Sequence, residues 1–378
     1  MSELAALRET VRDFCDREIR PTARDRDRAE SFPGELVPGL AELGILGAAL
    51  PEDLGGAGLD DEGYRVVIEE LGAADASIRS LVSVNVGLFG KSVLAWGTDE
   101  QQRTWLPGAC RGELGAFGLT EPGAGSNPSQ LRSRAVRDGG DWVIDGSKIF
   151  ISNGTLGAVT MIFARAVVDG EDRGITCFLV PQNAPGYTGR QIHGKLGLRS
   201  GDTADISLEG VRVPDAAVLG EVGGGMKVAL SALDNGRFSL AAGAVGLARE
   251  ALEVSLRYAS EREQFGEPIA RRQLVQELLA AMHVDVQAAS ALVDRVVVAR
   301  REQTRATMEI STAKLFATEA SVRCADRAVQ VHGGYGYIDE YPVQRLLRDA
   351  RVTTLYEGTS QIQHLILGRL LTGENAFV

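Results

Sequence analysis

Trp142-Val143-Ile144, closed by Asp145-Gly146, is a short β-type run stopped by a turn dipeptide, and its reading decides the fold class. Val159–Phe163, Ile175–Val180 and Ile206–Val213 repeat the pattern between turn residues. Across this stretch Ala and Glu thin out while Gly, Asp, Thr and Val rise. Residues 113–222 therefore read as a β domain, most simply a small barrel or sandwich.

On both sides the periodicity is helical. Leu4, Leu7, Val11, Phe14 and Ile19 recur at steps of three, four and five and form one apolar stripe. A loop with Pro51, Gly55, Gly56 and Gly58 interrupts, and a second helical run spans about Glu62 to Leu71. Ile78 to Trp96 carries few charges and reads as a helix buried on most sides. Beyond residue 223, Leu240, Ala244, Leu247, Ala251, Val254 and Tyr258 step by four and three. Long helical patterns follow at about 270–301 and 306–331, and a last helix runs from Ser360 to Leu371. Long helices with short connections predict a bundle. The class is α+β, with a helical domain over 1–112, a β domain over 113–222 and a helical bundle domain over 223–378. Apolar faces left over on the helices favour self-association.

The chain has 378 residues, enough for two or three domains with sizeable cores. Hydrophobic residues make up 44% and charged residues 24%, which excludes a disordered or fibrous chain. A net charge of −11 excludes a broad nucleic-acid surface but leaves room for a local basic patch on a phosphate-bearing ligand. Only five of the 40 basic residues are lysine, which fits genome composition rather than function. No run approaches the roughly 20 uninterrupted apolar residues of a membrane span. The opening MSELAALRETVRDFCDREIR has early acidic residues and no apolar core, unlike a secretory signal. Cys15, Cys110, Cys177 and Cys324 are far apart, and the histidines show no HxxxH spacing. Reduced thiols, no metal site and a cytoplasmic location are expected.

Three segments can carry chemistry. Leu119-Thr120-Glu121-Pro122-Gly123-Ala124-Gly125-Ser126 offers hydroxyls and free backbone N–H groups, and fits either a plain turn or a loop for an anionic or heteroaromatic ligand. In Lys148-Ile149-Phe150-Ile151-Ser152-Asn153-Gly154, alternation puts Phe150 and Ser152 on one strand face. There they either flank a flat ring or belong to a half-exposed strand ending in an Asn-Gly turn. In Tyr356-Glu357-Gly358-Thr359-Ser360-Gln361-Ile362-Gln363, Glu357 stands just ahead of a helix that Thr359 or Ser360 caps. It is either an exposed helix-start acid, which the dipole favours, or a general base whose pKa a desolvating pocket raises. GxGxxG, P-loop and GxSxG patterns are missing from all three segments and from Val222–Lys227.

Together these segments resemble the acyl-CoA dehydrogenase family of flavoproteins. Seven blocks carry the likeness in collinear order: Leu119–Ser126, Lys148–Gly154, Lys195–Arg199, Val211–Pro214, Glu261–Gly266, Gln330–Gly334 and Tyr356–Gln363. The resemblance implies an N-terminal helical domain, a middle β-barrel or sandwich domain and a C-terminal four-helix bundle. It implies FAD between the β domain and the bundle. Phe117, Leu119 and Thr120 would approach the flavin, Gly125 and Ser126 the pyrophosphate, and Thr359 and Gln361 the adenosine half. Phe150 and Ser152 stand where the family has Trp and Thr. Arg262, Phe265, Gln330, Gly333 and Gly334 match residues lent to the FAD of a neighbouring subunit, which implies a homotetramer.

Glu357 matches the family's catalytic base. The position of the alternative base used by some members is Gly236. Ser126, Asp234, Arg237, Tyr356 and Gly358 would face the substrate. The resemblance implies a thioester oxygen held by the Glu357 N–H and a ribityl hydroxyl, proton transfer to Glu357, hydride transfer to the flavin, and a trans-2-enoyl thioester as product. Electrons would pass to an electron-transferring flavoprotein.

Ile78–Asn85 and His364–Gly373 resemble glutaryl-CoA dehydrogenases, in which an Arg-Ser pair, here Arg79-Ser80, lines the acyl pocket. A lone cation in an apolar segment needs a partner. For Arg79 that is a substrate carboxylate, an acid such as Asp75, or solvent at the helix start. The acidic residue that partners this arginine in the family falls at Gly72. The expected substrate is a short-chain or dicarboxylic acyl-CoA. A similar Arg-Ser pair occurs in members acting on acyl-carrier-protein thioesters, and a flavin-free scaffold is the reading from another class.

Overall fold

Why the first apolar stripe takes a five-residue step is visible in the backbone. In this computed structural model, which describes residues 2–302 and 305–376, α1 (Glu3–Phe14) runs into a π-helical turn, Cys15–Ile19, before α2 (Arg20–Ala29). The π turn absorbs one extra residue and keeps Phe14 and Ile19 on the buried side. α3 (Val37–Glu42) and α4 (Asp61–Ala74) follow, the latter capped by the Asp60 carboxylate. Then come α5 (Ala76–Val82), a π-helical stretch Ser83–Gly90, α6 (Lys91–Trp96) and α7 (Asp99–Cys110). Ala76–Trp96 is one continuous helix, long and apolar enough to cross a membrane by length and composition, but 78% of its most apolar window is buried inside the protein. Its apolar surface is already covered by its neighbours, as expected of a core helix.

The middle of the chain forms one eight-stranded mixed sheet. Its strands are β1 (Gly115–Gly118), β2 (Arg134–Asp138), β3 (Asp141–Ser152), β4 (Val159–Val168), β5 (Glu171–Pro181), β6 (Tyr187–Gln191), β7 (Thr203–Pro214) and β8 (Val218–Leu219). The order is β6-β7-β3-β2-β4-β5-β8, with β1 also on β4; β1 and β2 run parallel to β4 and the other pairs are antiparallel. One face buries Trp142, Ile144, Ile206 and Val211, and the other packs Met161, Phe163, Cys177 and Leu179 against Phe89, Val93 and Val228 of the helices.

The C-terminal part holds α8 (Gly225–Glu261), α9 (Gln273–Glu302), α10 (Thr307–His332), α11 (Val343–Thr353) and α12 (Ser360–Thr372). α8 packs on α10, α9 and α4, so the N-terminal helices and the bundle share one apolar core. The α4–α8 approach is backbone on backbone: a Cβ at Gly72 would overlap the Gly243 carbonyl, and one at Gly246 would overlap the Glu69 carbonyl. The same crossing buries Glu69 and Glu70. Arg8, Arg12, Arg65 and Arg249 pair with them and tie α1, α4 and α8 together.

Gly246→Ala is expected to destabilise the protein by about 1–3 kcal/mol, the usual cost of overpacking. The melting temperature reads this directly. Gly368→Ala on α12 is the control, because a Cβ there meets nothing within 4 Å, and it should hold or raise the melting temperature. Equal melting temperatures for the two variants would contradict the close crossing.

Candidate active site

One cavity of about 2400 Å³ lies where the end of the sheet meets α5, α8, α10 and the α11–α12 loop. The sheet side contributes Phe117, Leu119, Thr120, Gly125, Ser126, Phe150 and Ser152. The helices contribute Arg79, Ser80, Asp234 and Arg237, and the loop contributes Tyr356, Glu357, Gly358 and Thr359. A single small-molecule site is about 300–1,000 Å³, so this space suits two ligands side by side. Nine basic side chains line it against five acidic ones, although the whole chain is acidic. That balance suits phosphate-bearing ligands.

The loop after α11 is held by its carbonyls. Glu357 and Gly358 both adopt left-handed backbone, φ 56° and 88°. Such strain in a non-glycine residue persists only when its surroundings over-determine it. Arg237 Nε donates to the Glu357 carbonyl at 3.0 Å, and Lys314 Nζ donates to the Gly358 carbonyl at 2.8 Å. Gln363 Nε2 reaches both carbonyls at 3.2 Å, and Thr359 Oγ1 caps α12.

The Glu357 side chain then sits at the wall of the cavity. The residue is half-buried because it opens onto that space, but Oε2 is sealed from solvent and has no hydrogen-bond partner among the described residues. Burial pushes its pKa up to about 7, against the pull of Arg79, Lys314 and Arg237. An ideal Cβ on Gly236 would lie 2.7 Å from Oε2. Positions 236 and 357 share one volume, so a Cβ at 236 would make the Glu357 carboxylate and the Leu88 side chain shift.

Arg79 is 2% exposed. Its Nη2 donates to the Tyr356 hydroxyl at 2.6 Å, and its guanidinium carbon lies 6.0 Å from the Tyr356 ring centroid. Among the described residues no carboxylate lies within 4.0 Å of it. Asp75 is engaged elsewhere: it caps α5 and pairs with Arg26 at 3.2 Å and Arg345 at 3.8 Å. Solvent at the helix start and an Asp75 ion pair are therefore both ruled out as its partner. Gly243 makes room for the side chain, since a Cβ there would stand 2.6 Å from Arg79 Cδ. The crossing at Gly72 leaves no space for an acidic residue behind it. Beside Arg79, Ser83 donates to Ser239 at 2.7 Å, and the Tyr64 hydroxyl joins Ser239 at 3.1 Å, so this wall is polar.

On the sheet side, Glu121 and Ala124 exchange backbone bonds at 3.1 and 3.0 Å around Pro122-Gly123. The Glu121 carboxylate accepts from the Arg132 and Ser133 N–H groups and from Lys148 Nζ at 2.7 Å. Lys148 is fully buried and also donates to the Phe163 carbonyl at 2.6 Å. Burial pushes its pKa down to about 8. Among the described residues the N–H groups of Thr120, Gly125 and Ser126 donate to no protein acceptor, and a Cβ on Gly125 would meet nothing within 4 Å. Free donors beside open space, an exposed Phe150 ring and nearby cations fit a flavin dinucleotide.

Regular alternation fails at Phe150. The β3–β7 register shifts between Ile149 and Ile151, and Phe150 takes φ 62° in the resulting bulge. Phe150 and Ser152 both line the cavity, but the bulge rather than a common strand face puts them there. Six expected residues lie away from this cavity. Gln361 and Gln330 are exposed, and Phe265 is 93% exposed. Arg262, Gly333 and Gly334 line a second cavity of about 450 Å³ with Tyr258 and His332. Lys314, Gln363 and the Lys148–Glu121 pair had no role assigned from sequence. For the two lysines the signal was the scarcity of that residue, and Lys314 stands on a helical face of Ile310, Ala313, Ala317 and Ala320.

Comparison with known proteins places the whole chain. Models described as acyl-CoA dehydrogenase N-terminal, middle and C-terminal domains match residues 1–113, 116–211 and 223–372. An acyl-CoA dehydrogenase of Bacillus subtilis (strain 168) is 39% identical over 98% of this chain and 98% of its own. The mitochondrial short-chain specific acyl-CoA dehydrogenase of Mus musculus is 38% identical over 97% of this chain and 89% of its own. Among solved structures, a glutaryl-CoA dehydrogenase from Mycobacterium smegmatis in complex with FADH2 superposes with a TM-score of 0.95 at 36% identity, covering 100% of this chain and 96% of that one.

Gly236→Ala is expected to displace the Glu357 carboxylate and lower acyl-thioester turnover by about 100-fold, the usual scale for a misplacement of about 1 Å. Turnover equal to wild type would show that the carboxylate has other room.

Proposed function

The chain belongs to the acyl-CoA dehydrogenase family of FAD-dependent oxidoreductases acting on CH–CH bonds, and from that premise we propose that it dehydrogenates a short acyl-CoA ending in a carboxylate, with Glu357 as the base. The observation that carries this reading is Arg79: a buried guanidinium on the same cavity as the carboxylate, with no carboxylate within 4.0 Å among the described residues. An unpaired buried charge costs several kcal/mol, and a substrate carboxylate relieves that cost with bidentate geometry.

Bound FAD would supply the hydride acceptor for the β-hydrogen. Thr120, Gly125, Ser126, Phe150, Ser152 and Thr359 would hold it, with Phe117 and Leu119 against the ring. The protein's own work is on the α-carbon. Glu357 takes the α-proton, and the pair of electrons left behind becomes the new C=C bond as the β-hydrogen departs. A carboxylate pushed to about 7 is a far better base than one in water and is still ionised above neutrality. Arg237 and Gln363 keep it in place through its carbonyl. The basic cavity lining supports CoA as the carrier, through its phosphates.

Electron-transferring flavoprotein is the acceptor this reading takes from the family. A homotetramer is supported by the exposure of Phe265, Leu274 and Tyr337, at 93%, 75% and 86%. Arg262, Gly333 and Gly334 then face a neighbouring subunit's cofactor from the second cavity, and Phe265 and Gln330 are next in sequence to its lining residues Gln264 and Val331.

Glu357→Gln is expected to keep FAD and ligand binding and to abolish flavin bleaching on anaerobic mixing with substrate. In the wild type, kcat/KM should fall as pH drops through about 7, because protonation removes the base. Normal bleaching in the variant would move the base elsewhere. Arg79→Ala is expected to raise KM for glutaryl-CoA by about 2–5 kcal/mol equivalent, with a much smaller change for butyryl-CoA. Equal losses on the two substrates would take Arg79 out of substrate recognition.

A further inference from the structure

Three cations stand near the Glu357 carboxylate, and they are not equivalent. Arg237 on α8 is ion-paired with Asp234 at 3.0 Å. Arg79 on α5 is the one that the proposed substrate carboxylate would neutralise. Lys314 on α10 is fully buried, and among the described residues no carboxylate lies within 4.0 Å of its ammonium. Its hydrogen bond goes to the Gly358 carbonyl at 2.8 Å, one residue beyond the base. A neutral donor would serve that carbonyl equally well. A buried lysine costs more than a neutral donor, so its charge needs a use. Burial pushes it down to about 8, and Glu357 pulls it back up.

We propose that Lys314 is the positioning residue of the base: it holds the left-handed Glu357–Gly358 turn through the Gly358 carbonyl, and its ammonium keeps Glu357 ionised once substrate has neutralised Arg79. This rests on the reading of Glu357 as the base. The other groups acting on that carboxylate are Tyr64 on α4 and Tyr356 on its own loop; Asp234 on α8 pairs with Arg237, and Glu319 on α10 acts on Lys314. The tyrosines stay neutral because burial raises their pKa values. Glu319 accepts from Ser360 Oγ at 2.5 Å. None of these supplies positive charge in place of the lysine.

The test is the pH dependence of single-turnover flavin bleaching in the FAD-loaded enzyme, with glutaryl-CoA, for Lys314→Met, Lys314→Gln and Lys314→Arg. Loss of a neighbouring cation raises a carboxylate pKa, so the acid limb should move up by about one pH unit in the Met and Gln variants. Below that limb the rate should fall about tenfold at a given pH. The Arg variant should keep the wild-type limb. Rates that fall in the Met and Gln variants with an unmoved limb would reduce Lys314 to a structural anchor and overturn the proposal. A second measurement leaves Lys314 intact. The chain has five lysines, so ε-¹³C-lysine spectra of wild type and Glu357→Gln are sparse. One resonance should lower its titration midpoint when the glutamate charge is removed, and no moving midpoint would also overturn the proposal. This readout needs no turnover, so it stands apart from the bleaching test of Glu357 itself.

Discussion

A carboxylate taken out of water raises its own pKa, and nearby positive charge pulls it back; the balance of these two effects on Glu357 is what the rest of the molecule is arranged around. Too much burial alone would leave an acid that never ionises. Too many close cations would leave a carboxylate with no affinity for a proton. Here Arg79, Arg237 and Lys314 arrive from three different helices, α5, α8 and α10. Only the loop after α11, in left-handed backbone, puts the side chain between them. The raised pKa of Glu357 is therefore set by the bundle and not by its own loop.

The glycines of α4 and α8 matter for the same reason. Gly72, Gly243 and Gly246 let two helices meet backbone to backbone. That contact brings α5 close enough for Arg79 to lie over Gly243 and reach the Tyr356 hydroxyl. It also buries Glu69 and Glu70, which need four arginines around them. Helix packing and the placement of Arg79 share one crossing, so a methyl group there would disturb both.

On the sheet side a second buried pair does related work. Lys148 and Glu121 have no route to the cavity surface, but they pin the strand and loop that carry Thr120, Gly125 and Ser126. The bulge at Phe150 belongs to the same region. An irregular strand and a buried ion pair are both costly in an ordinary sheet. Both occur beside the cavity, where the N–H groups of Thr120, Gly125 and Ser126 have no protein acceptor among the described residues.

The helical zones, the β runs and the motif segments were legible because they are local: period 3.6, period 2 and turn residues are written in neighbouring positions. The Tyr356–Gln363 segment offered Glu357 as a base or as an exposed helix-start acid, and the family resemblance marked Gly236 as the position of the alternative base. Sequence alone left Arg79 with three possible partners, placed Phe150 by simple alternation and assigned Lys314 nothing. Those questions concern residues tens to hundreds of positions apart, and spacing carries no record of them. Which cation faces which acid, whether a carboxylate is sealed from water, and which backbone must bulge are set by packing, because burial and charge act through space rather than along the chain.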